Sequence, residues 1–170
     1  YHVFNVCQVE GYQEEKPEPL TDDRIQQAEC FFSNLGITVH QATKAFYNSR
    51  QDSIHMPPFA NFLSKEGYYS TLAHEVTHWT GHESRLNRDL KNRFGSEAYA
   101  MEELIAELGA AFICAELQIA NDPREDHAAY IQSWLKVLKA DKRAVFTAAS
   151  KAQQAMDWAK GIAVTTQIAA

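Results

Sequence analysis

The order of hydrophobic and polar positions separates a strand-rich first third of the chain from a helical remainder. The opening "YHVFNVCQV" and the later pieces "ITVH", "KAFYN" and "SIHMP" are short runs rich in β-forming residues, which is typical of strands. Apolar positions recur at helical spacing from Ile25 to Leu35, with Thr21 as the expected N-cap and Gly36 at the end. The pattern predicts one helix and a small, mostly antiparallel sheet. In that sheet we expect "SIHMP", which is followed by prolines, to be an edge strand.

Two further helices are predicted in the middle of the chain. The first begins near Glu66 and ends at Gly81, and its apolar stripe consists of Leu72, Val76 and Trp79. The second runs from about Glu97 to Ile119. Its expected core stripe consists of Leu104, Leu108, Ala111, Phe112 and Ala115.

The last part of the chain is also helical in pattern. A third helix is expected to begin at Asp122, which is followed by a proline at the first helical position, and an alanine-rich fourth helix spans about Lys142 to Ala159. The order of elements predicts one α+β domain. Its expected parts are a sheet with one helix in 1–64, two helices in 65–120 and a helical hairpin in 121–160.

Composition narrows the classes of function. The net charge of −6 and the absence of a Lys/Arg run argue against binding a phosphate backbone by bulk electrostatics. The three cysteines lie far apart without a C-x-x-C pair, which favours a reducing, cytoplasmic setting over a disulfide framework: Cys7, Cys30 and Cys114. We see no signal peptide and no apolar run long enough to span a membrane. No oligomeric state is indicated.

The string "HEVTH", from His74 to His78, is the strongest chemical signal. Histidines at i and i+4 lie on one face of a helix, so His74 and His78 can direct their rings at one metal ion. Glu75, about 100° around the helix, could act as the general base for a metal-activated water. An ordinary polar stripe is the alternative. The apolar stripe lies roughly 200° from the histidines, which favours the metal site.

A metal site of this kind needs a third protein ligand. A metzincin pattern would require histidine at position 84, where the chain has Ser84. His82 lies one turn beyond His78, about 6 Å farther along the axis, and is expected to be an outer or surface residue. The remaining candidates are carboxylates of the next helix: Glu102, Glu103 and Glu107.

These three carboxylates are not equivalent. Glu103 and Glu107 share a stripe beside the apolar one, where burial is costly unless a carboxylate is paired or binds a cation. Glu102 is expected to be a solvated acidic edge. Small residues on this helix would let another helix approach closely: Ala106, Gly109, Ala110 and Ala111.

The combination of "HEVTH" with a downstream E-x-x-A-E run, Glu103 to Glu107, resembles the gluzincin pattern. The resemblance implies that Glu103 is the third ligand and that Glu107 holds a ligating histidine in its tautomer, although the two roles could be reversed. It implies Zn²⁺ as the metal, while Mn²⁺ and Fe²⁺ suit the same set of ligands.

Longer strings resemble the C-terminal zincin-like metallopeptidase domain of ArdC-type antirestriction proteins, a domain also found in plasmid primases and mobile-element polyvalent proteins. These strings are "VFNVCQ", "AECFF", "YYSTLAHEVTHWTGHESRLNRDL", "YAMEELIAELGAAF" and "WLKVLKADKRAVFTAASKAQQA". The resemblance implies a bacterial, cytoplasmic protein of a plasmid or phage that protects incoming DNA from restriction. It also implies an N-terminal domain that binds single-stranded DNA. We expect that domain to be missing here, because the sequence lacks an initial Met.

Three functions follow as hypotheses. A zinc-dependent peptidase would hold its protein or peptide substrate along an edge strand such as "SIHMP", with Tyr68, Tyr69 or His82 as candidates to face the oxyanion. A metal-stabilised module without catalysis, which binds protein or assists DNA binding, is the alternative. Direct stacking of single-stranded DNA is disfavoured by the charge, although rings are available: Phe46, Tyr47, Phe59, Phe62 and Tyr69.

Overall fold

Four α-helices and three β-strands form most of the described part of the chain, with a short 3-10 helix at Phe59–Asn61. The computed structural model describes residues 23–90, 96–120, 134–135, 137–139 and 141–169. The elements are α1 (Gln26–Asn34), β1 (Thr38–Gln41), β2 (Phe46–Asn48), β3 (Ser53–Met56), α2 (Lys65–Thr80), α3 (Glu97–Glu116) and α4 (Ala144–Ala169). The predicted opening strand and the predicted start of the third helix at Asp122 lie outside the described residues. Residues 134–135 and 137–139 are helical.

The sheet of the described residues has three strands in the order β1-β3-β2. Strand β3 pairs in parallel with β1 and antiparallel with β2, so this sheet is mixed and not mostly antiparallel, within the expected α+β class. The expectation that "SIHMP" is an edge strand is wrong, because β3 is the central strand. Its prolines follow the last paired residue, Met56, and therefore end the strand without exposing an edge. Ile54 and Met56 of β3 are buried, whereas every residue of β1 is exposed.

Helix α1 begins later than expected. Its N-cap is Ile25 and its first residue is Gln26, so Thr21 is too far upstream to cap it, and Thr21 itself lies outside the described residues. The predicted end is confirmed. Gly36 follows the helix with a φ of +67°, a left-handed conformation that glycine adopts without strain.

Helix α2 is buried on nearly all sides from Tyr69 to Thr80. The Ser64 hydroxyl caps it by accepting the backbone N–H of Gly67, and the helix ends at Thr80 with Gly81 as C-cap. The expected apolar stripe is buried: Leu72, Val76 and Trp79. The opposite face is buried as well, with His74 2% exposed and Glu75 4% exposed. The polar motif therefore lies inside the molecule.

Helix α3 lies between α2 and α4, which accounts for an error in its predicted core stripe. The leucine-containing stripe is only half-buried, with Leu104, Leu108 and Phe112 beside Ala148 and Ala152 of α4, and Ala115 is exposed. The most buried positions belong to the other stripes of the helix: Ala106, Ala110, Ile105, Ile113 and Cys114. A helix in a middle layer has two packed faces, so its largest side chains do not identify a single core side.

Helix α4 extends ten residues beyond its expected end at Ala159. Its buried stripe continues past that point: Ala144, Ala148, Ala152, Ala155, Ala159 and Ala163. Alanine has the highest helix propensity and lets neighbouring helices pack closely. Trp158 of α4 meets Trp79 of α2 edge to face, with ring centroids 5.4 Å apart. No helix among the described residues combines the length and apolarity needed to cross a bilayer.

Candidate metal centre

Helices α2 and α3 approach each other closely at one point. A Cβ atom on Gly109 would lie 2.4 Å from Cγ2 and 2.5 Å from Oγ1 of Thr77, so only glycine fits there. The expectation that small residues of α3 admit another helix is confirmed at this position. One turn from this contact, the α2 histidines face the α3 carboxylates.

Three potential ligand atoms converge at this junction. The Nε2 atoms of His74 and His78 are 3.2 Å apart, and each lies 3.6 Å from a different carboxylate oxygen of Glu103. A tetrahedral ion with bonds of 2.0–2.1 Å separates its ligands by about 3.3 Å. The three donor atoms are therefore spaced as an ion of this size requires. Among the described residues, His74, His78 and Glu103 form a group whose donor atoms could hold a metal ion.

The Glu103 carboxylate is buried but remains ionised. Burial alone would raise its pKa. The imidazoles of His74 and His78, with a hydrogen bond from the Tyr99 side chain, more than offset burial and lower the pKa to about 2. The junction therefore offers two imidazoles and one negative charge at neutral pH, which is the donor set of a catalytic zinc site with an open position.

Glu107 lies on the other side of His74. Its Oε1 atom is 3.1 Å from Nδ1 of that ring, whereas Glu103 faces Nε2. The two carboxylates thus contact opposite ring nitrogens. The division expected from the sequence, with Glu103 as ligand and Glu107 as the outer carboxylate that fixes the tautomer, stays a prediction.

Glu75 follows His74 on the buried helix. Among the residues that the structure describes, no side chain forms an ion pair or hydrogen bond with its carboxylate. A buried carboxylate without a protein partner is costly unless water or a cation approaches it. An ion held by the converging histidines would be a neighbour of this kind.

The sequence pattern missed one part of the site. Glu102, expected to be a solvated acidic edge, is 8% exposed and accepts hydrogen bonds from His78 and Arg88. Burial would raise the pKa of Glu102, but these bonds outweigh burial and lower it. The only feature of the sequence that could have indicated the burial of Glu102 is Arg88, to which the sequence pattern assigned no role.

Other candidates named from the sequence lie elsewhere. His82 pairs with Ser84, with Nδ1 2.8 Å from Oγ, and does not join the donor cluster. Tyr69 donates its hydroxyl to Glu29 of α1 at 2.6 Å, and Tyr68 packs against Phe59 and Phe62. Neither tyrosine is brought to the histidines. Two of the rings considered for stacking on DNA, Phe59 and Tyr69, are buried.

Proteins of similar sequence match this chain over most of its length. The protein y4eC of Sinorhizobium fredii is 49% identical over 160 residues, which cover 93% of this chain and 52% of y4eC. The DNA primase TraC of Escherichia coli is 42% identical over 158 residues, which cover 92% of this chain and 15% of the primase. The chain thus spans about half of the first relative and a small part of the second.

Two solved structures of an antirestriction protein are similar to this chain in both fold and sequence. The Mn(II)-bound structure of the antirestriction protein ArdC from plasmid R388 has a TM-score of 0.76 and 44% identity, and the match covers 96% of this chain and 62% of ArdC. The metal-free ArdC structure has a TM-score of 0.74 and 42% identity, over 95% of this chain and 60% of ArdC. The sequence profile of the zincin-like metallopeptidases matches residues 26–151. With this profile covering most of its length, the chain belongs to the zincin-like metallopeptidase family.

Proposed function

We propose that this chain is a metal-dependent peptidase domain of an antirestriction-type protein. In this proposal His74, His78 and Glu103 bind one divalent ion, and Glu75 is the general base. The observation that carries it is the convergence of three ligand atoms, all within 4.8 Å of one another, beside a buried carboxylate. Membership in the zincin-like family supports the same reaction class.

The donor set suits several metals. Two imidazoles and one carboxylate are typical ligands of catalytic zinc, and the same set binds Fe²⁺ or Mn²⁺. The related ArdC protein has been solved with Mn(II), which supports Mn²⁺ as a second candidate beside Zn²⁺. A bound ion of this kind would acidify a water molecule and polarise the carbonyl under attack.

The protein residues would supply positioning and proton transfer. Glu75 would accept a proton from the attacking water and pass it to the leaving amine, a role worth about 10²–10⁴-fold in rate. Glu107 would keep His74 in the tautomer whose Nε2 lone pair faces the junction. The substrate backbone would pair with β1 or β2, because both edges of β3 are occupied.

The relatives support a proposal for the biological setting. We propose that the full protein acts in the cytoplasm of bacteria that carry a mobile element, protects incoming DNA from restriction, and contacts single-stranded DNA through a further domain. The protection from restriction and the association with DNA rest on the antirestriction protein and the DNA primase to which the chain is similar, and the contact with single-stranded DNA rests on the resemblance of the sequence to ArdC-type proteins.

The test compares wild type with Glu75→Gln. Both are loaded with Zn²⁺ or Mn²⁺ and incubated with unfolded protein and with restriction-enzyme subunits, and new N-termini are detected by mass spectrometry. We expect cleavage by wild type only, with equal metal content in both proteins. Equal inertness of the two proteins on every substrate and with either metal would reject the peptidase.

A metal-stabilised binding module is the second candidate, because an ion at this junction would link α2 to α3. The metal-free ArdC structure retains similarity to this chain, with a TM-score of 0.74, which supports a role for the ion beyond holding the fold. Protection of DNA in cells distinguishes the two. A binding module keeps protection in Glu75→Gln and loses it in His74→Ala, whereas a peptidase loses it in both.

A further inference from the structure

Arg88 and Glu102 form a buried ion pair next to the candidate metal centre. Arg88 lies in the segment after α2 and Glu102 in α3, and their side chains are 6% and 10% exposed. Nη2 of Arg88 is 2.9 Å from Oε1 of Glu102, and Nε is 3.1 Å from Oε2. This is the two-pronged geometry by which a guanidinium fixes the plane of a carboxylate.

The same carboxylate reaches His78. Oε1 of Glu102 lies 3.1 Å from Nδ1 of His78, while Nε2 of that ring lies 3.6 Å from Glu103. A carboxylate held by an arginine accepts hydrogen bonds and does not donate them. The His78 proton is therefore expected on Nδ1, which leaves the Nε2 lone pair directed at the junction.

Arg88 also binds the end of the helix that carries His78. Its Nη2 donates to the Thr77 carbonyl at 2.5 Å, and its Nη1 donates to the Thr80 hydroxyl at 3.0 Å. The guanidinium thus connects the last turn of α2 with the carboxylate on α3. The direction of the His78 ring depends on both elements.

Gly81 provides the space for this guanidinium. Its φ of −77° is ordinary, so no backbone requirement explains the glycine. A Cβ atom there would lie 2.8 Å from Nη2 and 3.0 Å from Cζ of Arg88, and 3.0 Å from the His78 carbonyl oxygen. A larger residue would displace the group that holds Glu102.

We propose that Arg88 and Glu102 are positioning residues that fix the tautomer and direction of His78, with Gly81 making room for the guanidinium. The inference about metal binding rests on the proposed function, whereas the inference about the tautomer does not. A purely structural role is the alternative, since Arg88 also caps a helix. Arg85 is a matched control, because its guanidinium donates to the Trp79 carbonyl at 2.7 Å and to Asp52, and among the described residues it bonds neither to His78 nor to Glu102.

The experiment measures metal affinity by competition with a chelating dye for wild type, Arg88→Gln, Glu102→Gln and Arg85→Gln. We expect affinities for Zn²⁺ and Mn²⁺ to fall by about 10- to 100-fold in the first two variants, the usual effect of losing an outer-shell partner, and to stay at the wild-type value in Arg85→Gln. Equal weakening in Arg85→Gln, or wild-type affinity in folded Arg88→Gln and Glu102→Gln, would overturn the proposal. If either variant fails to fold, Gly81→Ala retains every polar group and should still weaken binding.

The tautomer is read separately in the metal-free protein. Long-range ¹H–¹⁵N spectra near about pH 8.5, above the ordinary histidine pKa, should show His78 protonated on Nδ1 in wild type and less so in Glu102→Gln. An Nε2-protonated His78 in wild type would contradict the proposal. A protein that binds no metal but shows the expected tautomer would refute the proposed function and support the positioning role.

Discussion

The two histidines of "HEVTH" are supported in different ways. Each directs Nε2 at the junction and Nδ1 at a carboxylate of α3, Glu107 for His74 and Glu102 for His78, at 3.1 Å in both cases. Glu102 is also held by Arg88, which comes from outside both helices. The described contact on the His74 side joins α2 to α3, whereas the His78 side also depends on the path of the segment after Gly81.

The largest expected effect is the loss of a ligand itself, on either side of the site. His74→Ala and His78→Ala should each abolish measurable binding of Zn²⁺ and Mn²⁺, because two donors remain where three are needed. Isothermal titration calorimetry on the purified variants tests this. His82→Ala serves as control and should bind like wild type, since His82 pairs with Ser84 and not with the donor cluster. Tight binding by both ligand variants would mean that the ion sits elsewhere.

Removal of the two outer carboxylates, Glu102 and Glu107, should destabilise the protein to different extents. Glu102→Gln leaves the Arg88 guanidinium buried without its counter-charge and should cost about 3 kcal/mol of unfolding free energy. Glu107→Gln should cost less, because glutamine keeps an oxygen that can accept from Nδ1 of His74, which lies 3.1 Å from Oε1 of Glu107. Urea unfolding of the metal-free proteins measures the difference. Equal losses of unfolding free energy in the two variants would show that Arg88 makes no difference between the His74 side and the His78 side.

The helix approach common to both sides can be disturbed at Gly109. Gly109→Ala places a methyl group against Thr77 and should cost about 1–3 kcal/mol through overpacking. The matched control is Gly161→Ala on α4, where a Cβ meets no atom within 4 Å. That change should stabilise the protein by about 0.5–1 kcal/mol, because alanine loses less conformational freedom in a helix. Thermal and urea unfolding measure the stability of both variants. A stability change of the same sign in both would refute the close approach of α2 and α3.

The smallest expected effect is a pH-dependent change in stability at Asp52, which pairs with the segment that carries Arg88. Arg85 of this segment binds Asp52 at the β2–β3 turn, with Nη1 2.9 Å from Oδ2, and this bond holds the pKa of Asp52 below its usual range despite burial. A lowered folded pKa stabilises the protein above the unfolded pKa of about 3.9, and the contribution is lost as the pH falls.

The corresponding variant is Asp52→Asn, which tolerates the positive φ of 49° at this position. Because Asp52 is partly exposed, the stability difference from wild type should be at most about 1 kcal/mol near neutral pH. It should shrink as the pH falls below the unfolded pKa of about 3.9 and through the lowered pKa of folded Asp52. A difference that grows on acidification would contradict the sign of this prediction.

The sequence correctly predicted the features that depend on residues close together along the chain. The α2 helix with its histidine face, the start of α3 at Glu97 and the close approach permitted by Gly109 all follow from spacing and residue size over a few turns. The α+β class and the zincin-like family were also predicted, from element order and from long shared strings.

Errors arose where distant segments meet. Glu102 is buried because Arg88, 14 residues away along the chain, returns to pair with it, and no periodicity encodes that return. Strand β3 is central because β1 and β2 both pair with it, and strand order depends on connections between elements. The core side of α3 was misjudged because α4 covers the leucine stripe while α2 packs against the small residues.

The central claim is that His74, His78 and Glu103 bind one divalent metal ion. A crystal structure of the protein saturated with Zn²⁺ or Mn²⁺, with anomalous data collected at the absorption edge of the metal, tests it most directly. We predict one strong anomalous peak in contact with Nε2 of His74, Nε2 of His78 and the Glu103 carboxylate, with Glu75 facing its open side. A peak at other residues, or no peak at this junction in metal-saturated crystals, would contradict the account.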